Sequence, residues 1–73
     1  MKAPLLHRMD EVALLKDLPE HGLRFGETGV VIQTTPNGLC DIEFVNEGGE
    51  SIILKEFPKE ELVLVRHRRD LMS

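Results

Sequence analysis

Four side chains in this sequence have the types that most often carry chemistry in so small a protein: Cys40, His7, His21 and His67. A nucleophilic cysteine needs an electropositive surrounding or a neighbouring base. Cys40 is instead followed by Asp41 and is in register with the apolar residues of a strand-like segment. We therefore expect Cys40 to be buried as a small hydrophobic side chain.

The histidines form no metal-binding motif, because none lies three or four residues from another ligand on a convincing helix. His21, beside Glu20 and near Asp17, could form an acid–base pair, but a solvated loop histidine is favoured. The sequence has no Gly-x-Ser-x-Gly motif, phosphate-binding loop or dinucleotide motif. We predict no catalytic residue, no metal site and no cofactor, and therefore a protein that is not an enzyme.

Composition limits the function further. A chain of 73 residues forms one domain with a thin stability margin. Its formal net charge of −4 argues against strong nucleic-acid binding, which depends on clustered Lys and Arg. A single cysteine excludes an intrachain disulfide and is typical of a reducing cytoplasm. No apolar run has the length of a secretion signal or a membrane span, so we expect a cytoplasmic protein with no membrane partner.

The elements that position Cys40 and the histidines are predicted to be strands. Short apolar segments alternate with turn residues along most of the chain. A long glycine-punctuated loop follows the first strand, and Asn37-Gly38 marks a hairpin turn. A single helical turn is predicted at Phe57–Glu61, before the last strand. The fold class is therefore all-β, a small five-stranded SH3-like barrel. The predicted strands are Glu11–Lys16, Thr28–Thr34, Leu39–Val45, Ser51–Lys55 and Leu62–Val65.

The third strand shows the clearest alternation. Cys40, Ile42 and Phe44 alternate with Asp41 and Glu43, which predicts one core face and one solvent face. The long loop needs apolar side chains to hold it against the sheet. Those side chains are predicted to be Leu18, Leu23 and Phe25. The domain is expected to span residues 10–66, between an N-terminal arm, 1–9, and a C-terminal tail, 67–73.

One stretch resembles a known family. The segments Asp10–Leu14, Asp17–Pro19, Gly22-Leu23 and Gly26–Val31 are similar to a family of short bacterial proteins classed only as a domain of unknown function, with an SH3-like barrel. Asp41–Val45 and Leu62–Leu64 match its later strands. The resemblance covers roughly residues 10–65 and implies no catalytic residue and no ligand. Gly26–Val31 also resembles, more weakly, part of the KOW motif of ribosome- and RNA-associated barrels.

Several predicted strands carry large apolar residues on both faces, whereas a sheet that faces water should alternate apolar with polar residues. Either the chain's own arm and loop or a partner must cover this excess. The candidate protein interface consists of Leu15, Ile53, Val63 and Val65. We therefore hypothesise a non-enzymatic protein-interaction module that binds itself or another protein through an apolar strand face. An antitoxin- or immunity-type adaptor would fit that description.

The alternative is a weak nucleic-acid or ribosome-associated barrel. Its candidate contacts are Arg24, Arg66, Arg68 and Arg69, although a short terminal run of charges is usually solvated. Binding of polyproline peptides is disfavoured, because the aromatic grooves of SH3 domains cannot be built without Trp or Tyr. A small-molecule site under the loop of residues 17–27 is a third hypothesis.

Overall fold

The computed structural model describes residues 5–67, which form five antiparallel strands and two short 3-10 turns. The predicted all-β class is confirmed. The strands are β1 Glu11–Leu14, β2 Thr28–Thr34, β3 Leu39–Val45, β4 Ser51–Pro58 and β5 Leu62–Arg66, and the 3-10 turns are Pro19–His21 and Lys59–Glu61. Neither helical segment in this range has the length or apolarity to cross a bilayer.

The strands are arranged in the order β4-β3-β2-β1-β5. β2, β3 and β4 form a meander of hairpins, while β1 pairs with both β2 and β5. Among the described strands, β4 and β5 are the two edges, so the sheet is open. Closure into an SH3-like barrel stays a prediction.

A single core takes residues from all five strands. The largest buried side chains include Phe44, Leu14 and Ile42, and the core is completed by Leu6 from the arm and by Leu18 and Leu23 from the long loop. Because edge strands β4 and β5 contribute Leu54 and Leu62 to this same cluster, the sheet must curve around it. The remaining members are Val12, Val31 and Cys40.

The long loop is fixed by fewer side chains than predicted. Leu18 and Leu23 are buried, as predicted, and are bridged by backbone hydrogen bonds of 2.9 and 3.1 Å. The prediction for Phe25 was wrong, since 66% of its surface is exposed. Its backbone N–H is held instead, donating to Asp17 Oδ1 at 2.8 Å, and this contact leaves the ring outside the core.

The burial pattern predicted for β3 was wrong at one position. Phe44, Ile42 and Cys40 are buried as predicted, but Asp41 is also buried, with 9% exposure. Its neighbours explain the error, because both β2 and β4 carry bulges opposite this part of β3. At these bulges the Gln33 side chain and the Glu56 backbone N–H donate hydrogen bonds to Asp41, on the face that was predicted to be exposed to solvent.

The fourth strand ends later in the sequence than predicted, and the helical turn therefore begins later. β4 continues to Pro58 rather than ending at Lys55, and the turn occupies only Lys59–Glu61. The pairing of Phe57 with Cys40 and of Pro58 with Leu39 explains the extension. These two residues still have strand partners on β3, so they cannot belong to the turn.

Candidate functional site

Three of the four predicted interface residues lie on one edge of the sheet. Val63 and Val65 are on edge strand β5, and Leu15 directly follows β1, the only described strand that pairs with β5. Val63 lies opposite Ala13, and the backbone N–H of Leu15 donates to the carbonyl of Glu61 at 3.0 Å. Leu15, Val63 and Val65 are 44%, 45% and 49% exposed. We call these three residues the β1/β5 strip.

An ion pair lies at each end of the β1/β5 strip. Lys16 Nζ is 2.8 Å from Glu61 Oε1 beside Leu15. At the other end of β5, Arg66 Nε donates to Glu11 Oε1 at 2.9 Å. The charges at both ends are thus matched within the chain, and the side chains between them are apolar.

The fourth predicted interface residue is elsewhere. Ile53 is exposed on β4, the opposite edge strand, where it pairs with Glu43 of β3. In strand order, β3, β2 and β1 separate it from β5. The structure therefore does not bring Ile53 into the β1/β5 strip.

The arginines predicted for nucleic-acid contact do not form a described basic patch. Arg66 is paired with Glu11, and Arg24 Nε lies 3.8 Å from Glu47 Oε2 in a highly exposed pair. Arg68 and Arg69 lie outside the described residues. The two candidate arginines that are described, Arg24 and Arg66, each have an acidic neighbour, which reduces the positive potential available to phosphate.

A shallow pocket of about 480 Å³ lies beside the long loop, where the third hypothesis expected a small molecule. Its walls include Asp17, Pro19, Leu23, Arg24 and Glu47. The acid–base pair considered for His21 is not among the hydrogen bonds that the structure describes. The backbone carbonyl of His21 instead lies 3.4 Å from Asn46 Nδ2.

Cys40 is fully buried, as predicted. Its Sγ lies 3.7 Å from the carbonyl oxygen of Phe57 on β4. Burial raises the pKa of the Cys40 thiol, and Lys59 only partly opposes this effect. A neutral, enclosed thiol is a poor nucleophile.

Sequence reasoning missed one cluster, formed by His7, Asp10 and His67. His67 Nδ1 lies 2.9 Å from Asp10 Oδ1, and His7 Nδ1 lies 3.7 Å from Asp10 Oδ2. One potential ligand atom from each residue lies within 4.8 Å of the others. The carboxylate is fully buried between two partly exposed imidazoles, whose ring centroids are 6.0 Å apart.

Local backbone structure builds this cluster. Residues 7–10 form a turn in which the N–H of Asp10 donates to the carbonyl of His7 at 3.1 Å and the N–H of His7 donates to Asp10 Oδ2 at 2.7 Å. Met9 adopts a left-handed φ of 77° inside the turn. Val31 of β2 then fixes the turn through backbone hydrogen bonds with Met9 and Asp10.

The third member comes from the far end of the described chain. His67 directly follows β5, whose pairing with β1 brings it back to Asp10. The Asp10 and His67 positions are 57 residues apart in sequence. Short-range motif spacing therefore could not reveal the cluster. The available signal was only that Asp10 precedes the first predicted strand and His67 follows the last, and the structure pairs these two strands.

Comparison with known proteins places most of the chain in a family. No curated protein and no solved structure gives a significant match to the chain. A family described as a domain of unknown function, DUF4926, matches residues 8–64 and so includes all five strands except the last two residues of β5. The chain belongs to this family of domains of unknown function, DUF4926.

Proposed function

We propose that this domain is a non-enzymatic protein-interaction module that associates with a second copy of itself through the β1/β5 strip. The observation that supports the proposal most directly is an apolar strip on an edge strand, with a neutralised ion pair at each end. Stable interfaces commonly have such an apolar centre and a polar rim.

The backbone of β5 supports the same role. β5 pairs with β1 on one side, and no described strand pairs with its other side. An exposed edge with unpaired N–H and C=O groups is a template for adding another strand. Two β5 strands related by a twofold axis could pair antiparallel, and each Val63 and Val65 would then gain apolar neighbours from the other copy.

The edge strand β4 offers a comparison within the same molecule. It also lacks a second strand partner among the described residues, and it exposes Ile53. The cross-strand partner of Ile53 is Glu43, whereas that of Val63 is Ala13. The β5 edge is therefore the more apolar of the two, which favours it as the interface.

The experiment is a solution mass measurement by light scattering at low and high salt. We expect the mass of two chains at both salt concentrations, because apolar burial does not depend on screened charges. Val63→Glu should give the mass of one chain, since it puts two carboxylates into the interface. Circular dichroism and a thermal melt should show that this variant stays folded, because the Val63 side chain is partly exposed.

Ile53→Glu is the matched control, with the same substitution on the other edge strand. It should keep the mass of two chains. A wild-type protein that is monomeric at all concentrations would refute self-association. Dissociation by Ile53→Glu but not by Val63→Glu would refute the choice of the β1/β5 strip.

A further inference from the structure

We propose that His7, Asp10 and His67 bind one divalent transition-metal ion, and that Zn²⁺ is the ion the site fits best. The three residues offer two imidazole nitrogens and one carboxylate oxygen, all within 4.8 Å of one another. Ligand atoms around one tetrahedral zinc ion are roughly 3.3 Å apart, given bonds of about 2.0 to 2.2 Å. The distance from His67 Nδ1 to Asp10 Oδ1 is 2.9 Å, and that from His7 Nδ1 to Asp10 Oδ2 is 3.7 Å. These two distances lie on either side of the expected value.

One atom of the cluster points to a missing partner. His7 Nδ1 is buried and has no hydrogen-bond partner in the described part of the chain. Its distance of 3.7 Å from Asp10 Oδ2 is too long for a hydrogen bond. Buried polar atoms are nearly always satisfied, so an orphaned imidazole nitrogen beside a carboxylate indicates a ligand between them. A metal ion gives this nitrogen a partner without moving the turn.

The carboxylate of Asp10 can accept the metal while keeping its hydrogen bond from the backbone N–H of His7. Each oxygen of an ionised carboxylate has two lone-pair sites. Oδ2 uses one of them for the backbone N–H of His7, and this hydrogen bond also fixes the orientation of the Asp10 side chain. At His67 the metal takes the place of the proton between Nδ1 and Asp10 Oδ1, and the neutral imidazole keeps its one proton on Nε2.

The ligand types select the metal. Imidazole nitrogen suits zinc, copper, nickel and iron, whereas calcium and magnesium prefer oxygen ligands alone. Three protein ligands leave the fourth position of a tetrahedral site for water or another ligand. Both imidazole side chains are partly exposed, at 41% for His7 and 35% for His67. The free thiol of Cys40 is fully buried in the core and does not belong to this set.

Binding at this position would join the two ends of the described chain. His7 and Asp10 lie in the turn before β1, and His67 lies just after β5. A metal held by both segments stabilises the folded state, because the unfolded chain does not preform the site. This role does not depend on self-association through the β1/β5 strip.

The experiment uses the full chain without a histidine tag, treated with a chelator and then dialysed. Isothermal titration calorimetry with ZnCl₂ should give one ion per chain. At a hundredfold excess over Kd the thermal midpoint should rise by about 10 °C or more. Calcium and magnesium should give no rise. Cobalt should produce visible d–d bands and no thiolate charge-transfer band.

Two variants separate metal binding from structure. His7→Ala removes the orphaned nitrogen, and His67→Gln keeps a side chain that can donate to Asp10 but does not suit zinc. Both should fold and lose at least tenfold in zinc affinity. His21→Ala is the control, because His21 lies in the long loop and not in the cluster; it should bind zinc as the wild type does.

The opposite results overturn the proposal. Absence of zinc binding by the wild type shows that the cluster is a hydrogen-bonded structure only. Wild-type affinity in both His7→Ala and His67→Gln places any bound zinc elsewhere. Both outcomes leave the solution mass measurement unaffected, so failure here and failure of self-association are distinguishable.

Discussion

Asp41 Oδ1 accepts a 2.9 Å hydrogen bond from the backbone N–H of Glu56, and Glu56 adopts a left-handed φ of 54°. The pairing of β3 with β4 explains this conformation. Cys40 lies opposite Phe57 and Ile42 lies opposite Leu54, so two residues of β4 face Asp41 alone. Such a bulge leaves an N–H without its usual strand partner. The carboxylate of Asp41 supplies the acceptor.

The carboxylate of Asp41 also accepts a hydrogen bond at the bulge of β2, on the other side of β3. Val31 pairs with Ile42 and Gln33 pairs with Asp41, which leaves Ile32 as the extra residue of β2. Gln33 Nε2 then donates to Asp41 Oδ2 at 3.0 Å. One buried side chain thus joins β2 and β4 across β3, where both neighbouring strands depart from regular pairing.

Asp41→Ala should therefore destabilise the fold by about 1 to 2 kcal/mol, because two partly buried hydrogen bonds are lost, one from the Glu56 N–H and one from the Gln33 amide. Urea unfolding followed by circular dichroism measures the change. Glu43→Ala, on the same strand but exposed, is the control and should alter stability by about 0.5 kcal/mol or less. Equal effects of the two substitutions would show that the carboxylate does not support the bulges.

Gly29→Ala should destabilise the fold by about 2 kcal/mol or more, since overpacking of a fixed site forces neighbouring atoms to move. A Cβ at Gly29 would lie 2.7 Å from the carbonyl oxygen of Glu43 and 2.8 Å from the Phe44 ring. The backbone oxygen cannot move aside without breaking the β2–β3 ladder. Thermal melts of the variant and wild type measure the loss.

Gly48→Ala is the control for this substitution. Among residues 5–67, a Cβ there would meet only Asn46 Oδ1, at the ordinary distance of 3.5 Å. Its cost should be about 0.5 kcal/mol or less. A Gly29→Ala variant as stable as Gly48→Ala would mean that the Phe44 ring and the ladder relax without cost.

Cys40 should make stability decrease at alkaline pH. Burial raises the pKa of its thiol in the folded state, so the unfolded chain releases this proton at a lower pH than the folded chain does. The stabilisation is complete below the ordinary thiol pKa of 9.0 and decreases as the pH rises from there towards the folded-state pKa. The decrease in the free energy of unfolding is measured by urea unfolding at neutral pH and at pH values above 9.0.

Cys40→Ala removes the titrating group, so its stability should depend less steeply on pH over the same interval, although its overall stability will be lower because a buried group is lost. The absence of tyrosine in the chain limits other titration in this range. Parallel pH profiles for the two proteins would contradict the expected contribution of the thiol.

Local sequence signals predicted the parts of the fold that depend on neighbouring residues. The alternation of Cys40, Ile42 and Phe44 gave the bounds of β3 correctly, and Asn37-Gly38 correctly indicated the β2–β3 hairpin. The wet face predicted for Asp41 was wrong because a bulge depends on two strands at once, and one strand's alternation does not contain it. The prediction for Phe25 was wrong for a related reason, since the hydrogen bond of its backbone to Asp17, eight residues earlier, accompanies an exposed ring and has no signature in the apolar pattern.

The candidate sites show the same limit. Leu15, Val63 and Val65 were predicted from their apolar character, and strand pairing then brought them together. Ile53 had the same character but belongs to the opposite edge strand. The His7, Asp10 and His67 cluster depends on a pairing between distant segments, so neither composition nor motif spacing could indicate it.

The pairing of β1 with β5 also determines when the chain can complete its fold during synthesis. β2, β3 and β4 join through hairpins and can form as soon as they leave the ribosome. β1 is made first, yet one of its two pairing partners is the last strand; Glu11 and Arg66 are 55 residues apart. We therefore expect a nascent chain to keep one edge of β1 unpaired until β5 emerges.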